Sequence, residues 1–229
     1  MTCAGEPGPL LSMTLCFDQP GGPSITYAVA GDGPPLLLLH GFPQTRAMWD
    51  PIVPRLVERF TVVTADLRGY GASGKPAGVE AMSFRAMASD MVGLMAHLGH
   101  HRFGVAGHDR GGRTAHRMAL DWPDRVSLLA VMDIVPTHAL LTDLSCAVAR
   151  AYYHWFFLAQ PAPFPETLIG HDPDAYFERC LLGFGKAALS DFPAPQLAAY
   201  RAAWRDPDCI RAMCDDYRAA IDVDLPHDA

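Results

Sequence analysis

The sequence predicts an α/β protein with a mainly parallel sheet that is covered by helices on both faces. Short runs of purely apolar residues, each of strand length, recur through the first 136 residues. Amphipathic segments of helical length lie between those runs. The strands of a parallel sheet are buried on both faces and are therefore apolar throughout, and helices usually connect them. With 229 residues the chain is long enough for one domain that carries one large insertion.

The composition argues against a nucleic-acid-binding or membrane-associated protein. The net charge is −7, and no stretch gathers lysine and arginine into a basic stripe. No uncharged apolar run reaches the ~18 residues that a membrane span needs, and the first residues do not resemble a signal peptide. We therefore expect a cytoplasmic protein whose partner is a small molecule.

The cysteines give no sign of a metal site. They form no CxxC pair and have no metal-ligand spacing with histidine, so we read them as scattered thiols in a reducing compartment. We expect no metal and no organic cofactor. The six cysteines are Cys3, Cys16, Cys146, Cys180, Cys209 and Cys214.

The first half of the predicted sheet lies between residues 24 and 66. From Ser24 the run SITYAVAGDGPP alternates like a half-buried strand, and PLLLLHG is a buried strand that ends in glycine. Arg46 to Phe60 is a helix-like stretch with Pro51 and Pro54 near its beginning. TVVTADL is the next buried strand, and LRGYGASGKP is a loop.

The second half of the sheet follows one clear helix. Ser83 is placed as the cap of an amphipathic helix that runs through Leu98. FGVAGHD predicts a buried strand, GGRTAHRMALDWP predicts a helix that stops at Pro123, and VSLLAVMDIVP predicts the last buried strand.

After Pro136 the pattern changes to helical segments rich in Ala, Tyr, Trp and Phe, with no comparable strand. We assign residues 1–136 to the core, 137–222 to a helical cap, and 223–229 to the start of a return to the core. A cap above the carboxyl ends of the strands would lie where open α/β sheets bind ligands. The alternative is a second helical domain with no catalytic part.

The strongest chemical signal is the segment 107–111, Gly-His-Asp-Arg-Gly, at a strand-to-helix junction. It has the form G-x-nucleophile-x-G, whose glycines permit a sharp turn that exposes the central side chain. We therefore predict Asp109 as the nucleophile. The backbone N–H groups of Arg110 and of Phe42, in the segment HGFP, are the predicted oxyanion donors. The alternative is that Asp109 caps the following helix.

An aspartate nucleophile indicates alkyl transfer. A serine alkylated at saturated carbon becomes an ether that water does not cleave under mild conditions, whereas an alkylated carboxylate becomes a hydrolysable ester. A carboxylate is already ionised at neutral pH, so only the second step, hydrolysis of the ester, needs a general base.

Several segments together resemble the haloacetate (fluoroacetate) dehalogenases of the α/β-hydrolase fold, over nearly all of the chain after the first 20 or so residues. The segments are HGFPQTRAMWD, ADLRGYGASGKP, GHDRGGRTAHRMALDWPDRV, MDIVP and YYHWFF. Epoxide hydrolases and haloalkane dehalogenases share HGFP and the aspartate turn but commonly have tryptophan after the aspartate, where this chain has Arg110.

The resemblance implies roles for two arginines and one acid. Arg110 and Arg113, spaced to share a helix face in an electropositive first turn, would hold the carboxylate of the haloacid by paired hydrogen bonds. The alternative is that one or both pair with acids of the protein. Asp133, after the strand VSLLAVM, would orient the catalytic histidine, or it could cap the next turn.

The resemblance also implies a halide site in the cap, formed by His154, Trp155 and Tyr217. Their ring N–H and O–H groups are hydrogen-bond donors, which suits stabilisation of a departing fluoride. Taken singly, an aromatic residue in an apolar helix is more often part of the core.

The resemblance leaves one catalytic part without a counterpart. The family's catalytic histidine lies beyond the last strand of the sheet, and we expect that the chain is truncated before that strand, so that its last strand forms an uncovered edge. His227, in DLPHDA, is the candidate substitute base. The other histidines belong to the strand-end motifs, to the halide site or to helices, or have no motif.

The sequence therefore predicts a hydrolase that converts haloacetate to glycolate through an aspartyl ester. One alternative is an epoxide hydrolase, and another is a truncated, non-catalytic fragment. A homodimer is possible.

Overall fold

The computed structural model describes residues 13–183, 185 and 187–229. Within these residues a six-stranded sheet has the order β1-β2-β4-β3-β5-β6. β1 pairs antiparallel with β2 and β2 with β4, whereas β4, β3, β5 and β6 are parallel neighbours. The predicted α/β class with a mainly parallel sheet is confirmed. The strands are Leu15–Asp18, Ser24–Ala30, Pro35–Leu39, Thr61–Ala65, Phe103–His108 and Val126–Met132, β1 to β6 in order.

β1 was not predicted from the sequence. It has four residues, Leu15–Asp18, and its burial alternates between intermediate and exposed. A tight turn, in which the Gly22 N–H donates to the Gln19 carbonyl at 3.0 Å, joins it to β2. Four half-exposed residues are too few to establish a periodicity, so the pattern alone does not reveal this strand. Cys3 lies outside the described residues.

Three α-helices lie between strands of the core. They are α1 (Val53–Leu56), α2 (Phe84–His97) and α3 (Arg110–Asp121). The predicted cap of α2 is confirmed, because the Ser83 hydroxyl accepts from the Ala86 N–H at 3.3 Å.

The expected helix over 46–60 was wrong. The chain there forms a 3₁₀ turn, Arg46–Trp49, followed by the single-turn α1. Pro51 and Pro54 remove two N–H donors and restrict the residues that precede them, which interrupts a continuous helix.

The described residues after β6 are helical, and their role as a cap stays a prediction. They comprise α4 (Thr137–Thr142), α5 (Cys146–Ala151), α6 (Tyr153–Leu158), α7 (Phe164–His171), α8 (Pro173–Leu181), α9 (Ala194–Trp204), α10 (Pro207–Ala219), a π-helical segment (Ala220–Asp224) and α11 (Leu225–His227). The exact division into 1–136, 137–222 and 223–229 stays a prediction. None of the described helices is both long enough and apolar enough to cross a bilayer.

The interior and the outer edge of the parallel part of the sheet differ in burial. All four leucines of β3 are buried: Leu37 and Leu39 pack into the main core, and Leu36 and Leu38 pack into a smaller core on the other face. β6 was also expected to be a buried strand, but Leu128 is 61% exposed. Among the described residues no strand covers its outer edge. The uncovered edge that the sequence analysis expects is therefore present.

Candidate active site

The segment 107–111 forms a sharp turn between β5 and α3 with Asp109 at its apex. Asp109 has φ 47° and ψ −114°, and such backbone strain costs a non-glycine residue about 1–3 kcal/mol. A Cβ on Gly107 would lie 2.2 Å from the Gly111 carbonyl oxygen, and one on Gly111 would lie 2.4 Å from the Leu39 carbonyl oxygen. The flanking glycines are therefore required by close backbone approach, as the G-x-D-x-G pattern predicts.

The loop after β3 holds one oxygen of the Asp109 carboxylate. The Phe42 backbone N–H donates to Asp109 Oδ2 at 3.1 Å. A Cβ on Gly41 would lie 2.7 Å from the Asp109 Cβ, so this contact also depends on a glycine. The Asp109 side chain makes no capping hydrogen bond to α3, and the helix-cap alternative is therefore wrong. The oxyanion role of the Arg110 N–H stays a prediction.

A cleft of about 310 Å³ opens above this turn. It contains four predicted site residues, Phe42, Asp109, Asp133 and His154. The other predicted site residues are buried and do not line it. The full lining is Phe42, Gln44, Met48, His108, Asp109, Asp133, Tyr152, His154, Cys180, Leu181, Gly183 and Phe192.

Arg110 is engaged in an ion pair within the protein. Its side chain is fully buried, Nε donates to Asp216 Oδ2 at 2.9 Å, and Nη2 donates to Asp216 Oδ1 and to the Asp216 carbonyl oxygen. Nη1 has no hydrogen-bond partner in the described part of the chain. The expectation of a free guanidinium fork is therefore corrected, because Asp216 already takes the Nε and Nη2 donors and only Nη1 is left for a substrate.

Arg113 differs from Arg110 although it follows one turn later. Its Nη1 donates to the Val135 carbonyl oxygen at 2.8 Å and to the Thr137 hydroxyl at 3.1 Å, and its guanidinium carbon lies 4.7 Å from the Trp155 ring centroid. No carboxylate of the described residues forms an ion pair with it. Burial lowers the pKa of Arg113 to about 10. It is still protonated at neutral pH, so Arg113 is a buried cation that forms no ion pair within the described part of the chain.

The three predicted halide donors lie in one aromatic cluster. The Tyr217 ring centroid lies 5.3 Å from that of Trp155 and 5.8 Å from that of His154. The Tyr217 hydroxyl is buried and has no partner among the described residues. Burial lowers the pKa of His154 to about 4, against the opposing effect of Asp109. His154 is therefore neutral at physiological pH and donates from one ring nitrogen only.

Asp133 lies at the rim of the cleft. It has φ 54°, its side chain is 83% exposed, and its Oδ2 lies 3.9 Å from His108 Nε2. The next helix, α4, has Pro136 at its N-cap position and receives no side-chain cap, so Asp133 does not cap that helix. The role of Asp133 as the acid of a catalytic histidine stays a prediction.

His227 is not brought into the cleft. Its carbonyl oxygen accepts from Arg117 Nη1 at 3.1 Å, and Arg117 lies about two turns along α3 from Asp109. Its side chain is exposed. The hypothesis that His227 replaces the base is therefore wrong. Of the described histidines, His108 and His154 line the cleft.

Sequence reasoning missed two residues that shape the site. Asp216 binds Arg110, and Tyr70 donates to Asp216 Oδ2 at 2.5 Å. The segment DDYRAA gave no sign that Asp216 would be paired with Arg110, because the burial of α10 is visible only in the fold. In the sequence, His108 is recognisable only as part of the turn motif. No sequence signal indicated that its ring would face Asp133.

Comparison with known proteins agrees with this geometry. The family model described as alpha/beta hydrolase fold matches residues 34–216. The chain is 54% identical to a fluoroacetate dehalogenase of Burkholderia sp over 212 residues, which are 90% of this chain and 70% of the relative. It is 36% identical to a soluble epoxide hydrolase of Corynebacterium sp. (strain C12) over 200 residues, 86% of this chain and 69% of the relative.

Solved structures of similar fold agree with the sequence matches. A crystal structure assigned to the alpha/beta hydrolases, from Nostoc sp PCC 7120, has a TM-score of 0.91 and 48% sequence identity, and the match covers 94% of this chain and 75% of that chain. The ligand-free epoxide hydrolase CorEH has a TM-score of 0.86 and 33% identity, covering 93% of this chain and 75% of that chain.

Proposed function

Because this chain belongs to the α/β hydrolase family, we propose that it is a hydrolase that releases halide from short 2-haloacids and converts haloacetate to glycolate. One observation carries the proposal. The first turn of α3 follows Asp109 and contains Arg113, a buried cation that forms no ion pair with a carboxylate of the described residues. The Asp109 carboxylate acts on Arg113 only through its electrostatic field, which leaves the guanidinium N–H groups without a carboxylate partner. A nucleophilic carboxylate beside such a cation fits a substrate that is itself a short carboxylate.

The first step is displacement at the halogen-bearing carbon. The Phe42 N–H holds Asp109 Oδ2, which leaves Oδ1 to attack. A bond forms between Oδ1 and the substrate carbon, the carbon–halogen bond breaks, and the halide leaves with the electron pair. Tyr217, Trp155 and His154 are the proposed donors to that halide. The buried Tyr217 hydroxyl in this cluster has no hydrogen-bond partner among the residues that the structure describes, which favours stabilisation of a small anion.

The second step is attack of water on the acyl carbon of the Asp109 ester. The negative charge then develops on Oδ2, where the Phe42 N–H already donates. This step needs a general base. His108 and His154 are the described histidines at the cleft, and the low pKa of about 4 makes His154 a weak base. His108, with Asp133 3.9 Å away, is the first residue to test.

We predict that the 229-residue chain releases about one halide per molecule from chloroacetate and then accumulates the ester, because displacement has its full set of groups and hydrolysis lacks a well-placed base among the described residues. Intact-mass spectrometry with peptide mapping should locate the adduct on Asp109. Asp109→Asn should form no adduct, and Asp133→Asn, a matched change of an acid at the rim, should still form it.

Two outcomes would change this proposal. A folded wild-type chain with neither halide release nor adduct would favour the non-catalytic fragment. Steady turnover without an adduct would mean that a base is present, and loss of that turnover in His108→Gln would identify it.

A second candidate is epoxide hydrolysis, which a pair of tyrosine proton donors above the nucleophile would favour. Tyr152 lines the cleft and Tyr217 lies beside His154, and both lie within electrostatic reach of Asp109. Arg113 argues for the acid instead, because an epoxide has no carboxylate to neutralise it. Exclusive turnover of styrene oxide, with chloroacetate and fluoroacetate inert, would select the epoxide hydrolase.

The finer features of the protein are also proposals. We propose that it is cytoplasmic and binds a small molecule, and that a homodimer, if one forms, is detectable by sedimentation. The buried or part-buried cysteines, Cys180, Cys209 and Cys214, and the exposed Cys16 and Cys146 are free thiols, which agrees with a reducing compartment.

A further inference from the structure

Asp216 joins the cap to the residue that follows the nucleophile. It lies on α10 and is fully buried. Its carboxylate accepts from Arg110 Nε at 2.9 Å, from Arg110 Nη2, and from the Tyr70 hydroxyl at 2.5 Å. Its carbonyl oxygen accepts from Arg110 Nη2 at 2.9 Å. Every polar atom of the Asp216 side chain is thus used to hold Arg110 or is shared with Tyr70.

The ion pair with Asp216 fixes the position of the Arg110 guanidinium. Burial is the largest influence on the pKa of Arg110 and acts to lower it, but the charge and hydrogen bonds of Asp216, together with Tyr217 and Tyr70, raise the pKa overall, so the guanidinium stays charged. A buried guanidinium without Asp216 would turn to another carboxylate, because an unpaired buried charge is costly. Asp109 is the adjacent residue in the chain, and its Oδ1 is the proposed attacking atom.

The aromatic surroundings of Arg110 reinforce this placement. Its guanidinium carbon lies 4.3 Å from the Tyr217 ring centroid, 4.5 Å from that of Phe84 and 4.9 Å from that of Trp155. These rings offer cation–π contacts and no hydrogen-bond acceptor that could replace a carboxylate. Arg113, in contrast, donates only to neutral acceptors among the described residues, and the Asp109 carboxylate acts on its charge without an ion pair or a hydrogen bond.

We propose that Asp216 is a positioning residue that holds Arg110 away from the Asp109 carboxylate, so that the nucleophile stays unpaired and Arg113 supplies the net positive charge that recognises the substrate carboxylate. The inference rests on the proposed function and deepens it. The two arginines then have different roles. Arg110 offers the substrate only the N–H groups of Nη1, whereas Arg113 supplies positive charge.

The test is the alkylation of Asp109 by chloroacetate, followed by intact mass at several chloroacetate concentrations. In Asp216→Asn the maximal alkylation rate should fall at least about tenfold, because Arg110 turns to Asp109, while the concentration for half-maximal rate should stay the same or decrease. In Arg113→Met that concentration should rise about tenfold or more, with a smaller change in the maximal rate.

Two further variants separate positioning from general structural damage. Arg110→Gln combined with Asp216→Asn removes both charges, and its maximal rate should exceed that of Asp216→Asn by at least about threefold, because no guanidinium is left to pair with Asp109; it should stay below the wild-type rate because the Arg110 donor is lost. Tyr70→Phe keeps the ion pair and loses one hydrogen bond, so it should alkylate nearly as fast as the wild type. The double variant also serves if Asp216→Asn does not fold.

The outcomes are distinct from those of the proposed function. A wild-type chain that forms no adduct contradicts the proposed reaction itself. A wild type that forms the adduct, with Asp216→Asn equally fast or with no recovery in the double variant, overturns the positioning role of Asp216 alone.

Discussion

The two ends of α3 contain the same residue types in very different settings. At the beginning of the helix, Arg113 is buried and lacks an acidic partner among the described residues. At its end, Arg117 donates to Asp121 at 2.6 Å and to Asp228 at 3.0 Å. At the first end, strain and burial coincide with one arginine that has no ion pair in the described residues, whereas Arg110 beside it is paired with Asp216; at the second end Arg117 is paired with two acids. The comparison indicates that an arginine from which the fold withholds an acid keeps its charge available for a ligand.

The largest expected effect tests the compensated pair at the first end. Arg110→Ala should lower the free energy of unfolding by about 3–5 kcal/mol, because it leaves the Asp216 carboxylate buried without its cation. Urea denaturation measures this change. Arg117→Ala is the matched control and should cost less, about 1–3 kcal/mol, since Asp121 keeps Arg85 as a partner and only Asp228 loses its cation. Equal losses would remove the distinction between the two ends.

The next effect concerns ligand affinity. Arg113→Ala should weaken the binding of glycolate by about 1.5–3 kcal/mol, the contribution of a charge-assisted hydrogen bond. Arg117→Ala should leave the glycolate affinity unchanged, because the Arg117 guanidinium is already paired with Asp121 and Asp228. Isothermal calorimetry on the two variants gives the answer, and unchanged glycolate affinity in Arg113→Ala would show that the uncompensated cation does not bind the substrate.

A pH dependence sharpens the comparison further. The pKa of His154 is about 4 in the folded protein, below its ordinary value of 6.5, because of burial. Between these values the unfolded state binds more protons, so stability should fall as the pH falls from 6.5 towards 4. Since His154 is only partly buried by surface area, we expect about 1–2 kcal/mol of the shift to be realised. His154→Gln should flatten this part of the stability curve measured by thermal unfolding.

The smallest expected effect lies at the far end of α3. Arg85, whose side chain is 44% exposed, donates to Asp121 at 2.7 Å. Arg85→Gln should cost about 0.2–1 kcal/mol, and about 1 M salt should remove most of the difference between the variant and the wild type. A larger, salt-insensitive loss in urea denaturation would indicate that the compensated end is more tightly coupled than its exposure implies.

Most of the sheet and the nucleophile turn were predictable, for one physical reason. Strands such as PLLLL are buried on both faces, and the turn at Asp109 needs glycine wherever two backbones touch, so the residue types are determined locally. β1 was not predicted because four half-exposed residues show no periodicity. The helix predicted over 46–60 was wrong because two prolines interrupt it.

The charge partners were not predictable in the same way. Asp216 is 106 positions from Arg110 in the sequence, and no local pattern states which of the 25 acids would meet it. The same holds for His108 and Asp133, which come together only because β5 and β6 are neighbours. The family resemblance supplied the names of several site residues, but the division of labour between Arg110 and Arg113 depends on contacts made across the fold.

The strained backbone at Asp109 affects which substitutions selection would favour at this position. A glycine at this position would relieve about 1–3 kcal/mol of strain, so a copy of the gene that no longer served in chemistry would gain robustness by losing the aspartate. Variants selected only for heat resistance are therefore expected to enrich replacements at position 109. A library selected for halide release should keep Asp109 and accumulate stabilising substitutions at other positions. The residue found at position 109 therefore shows whether activity or stability was selected.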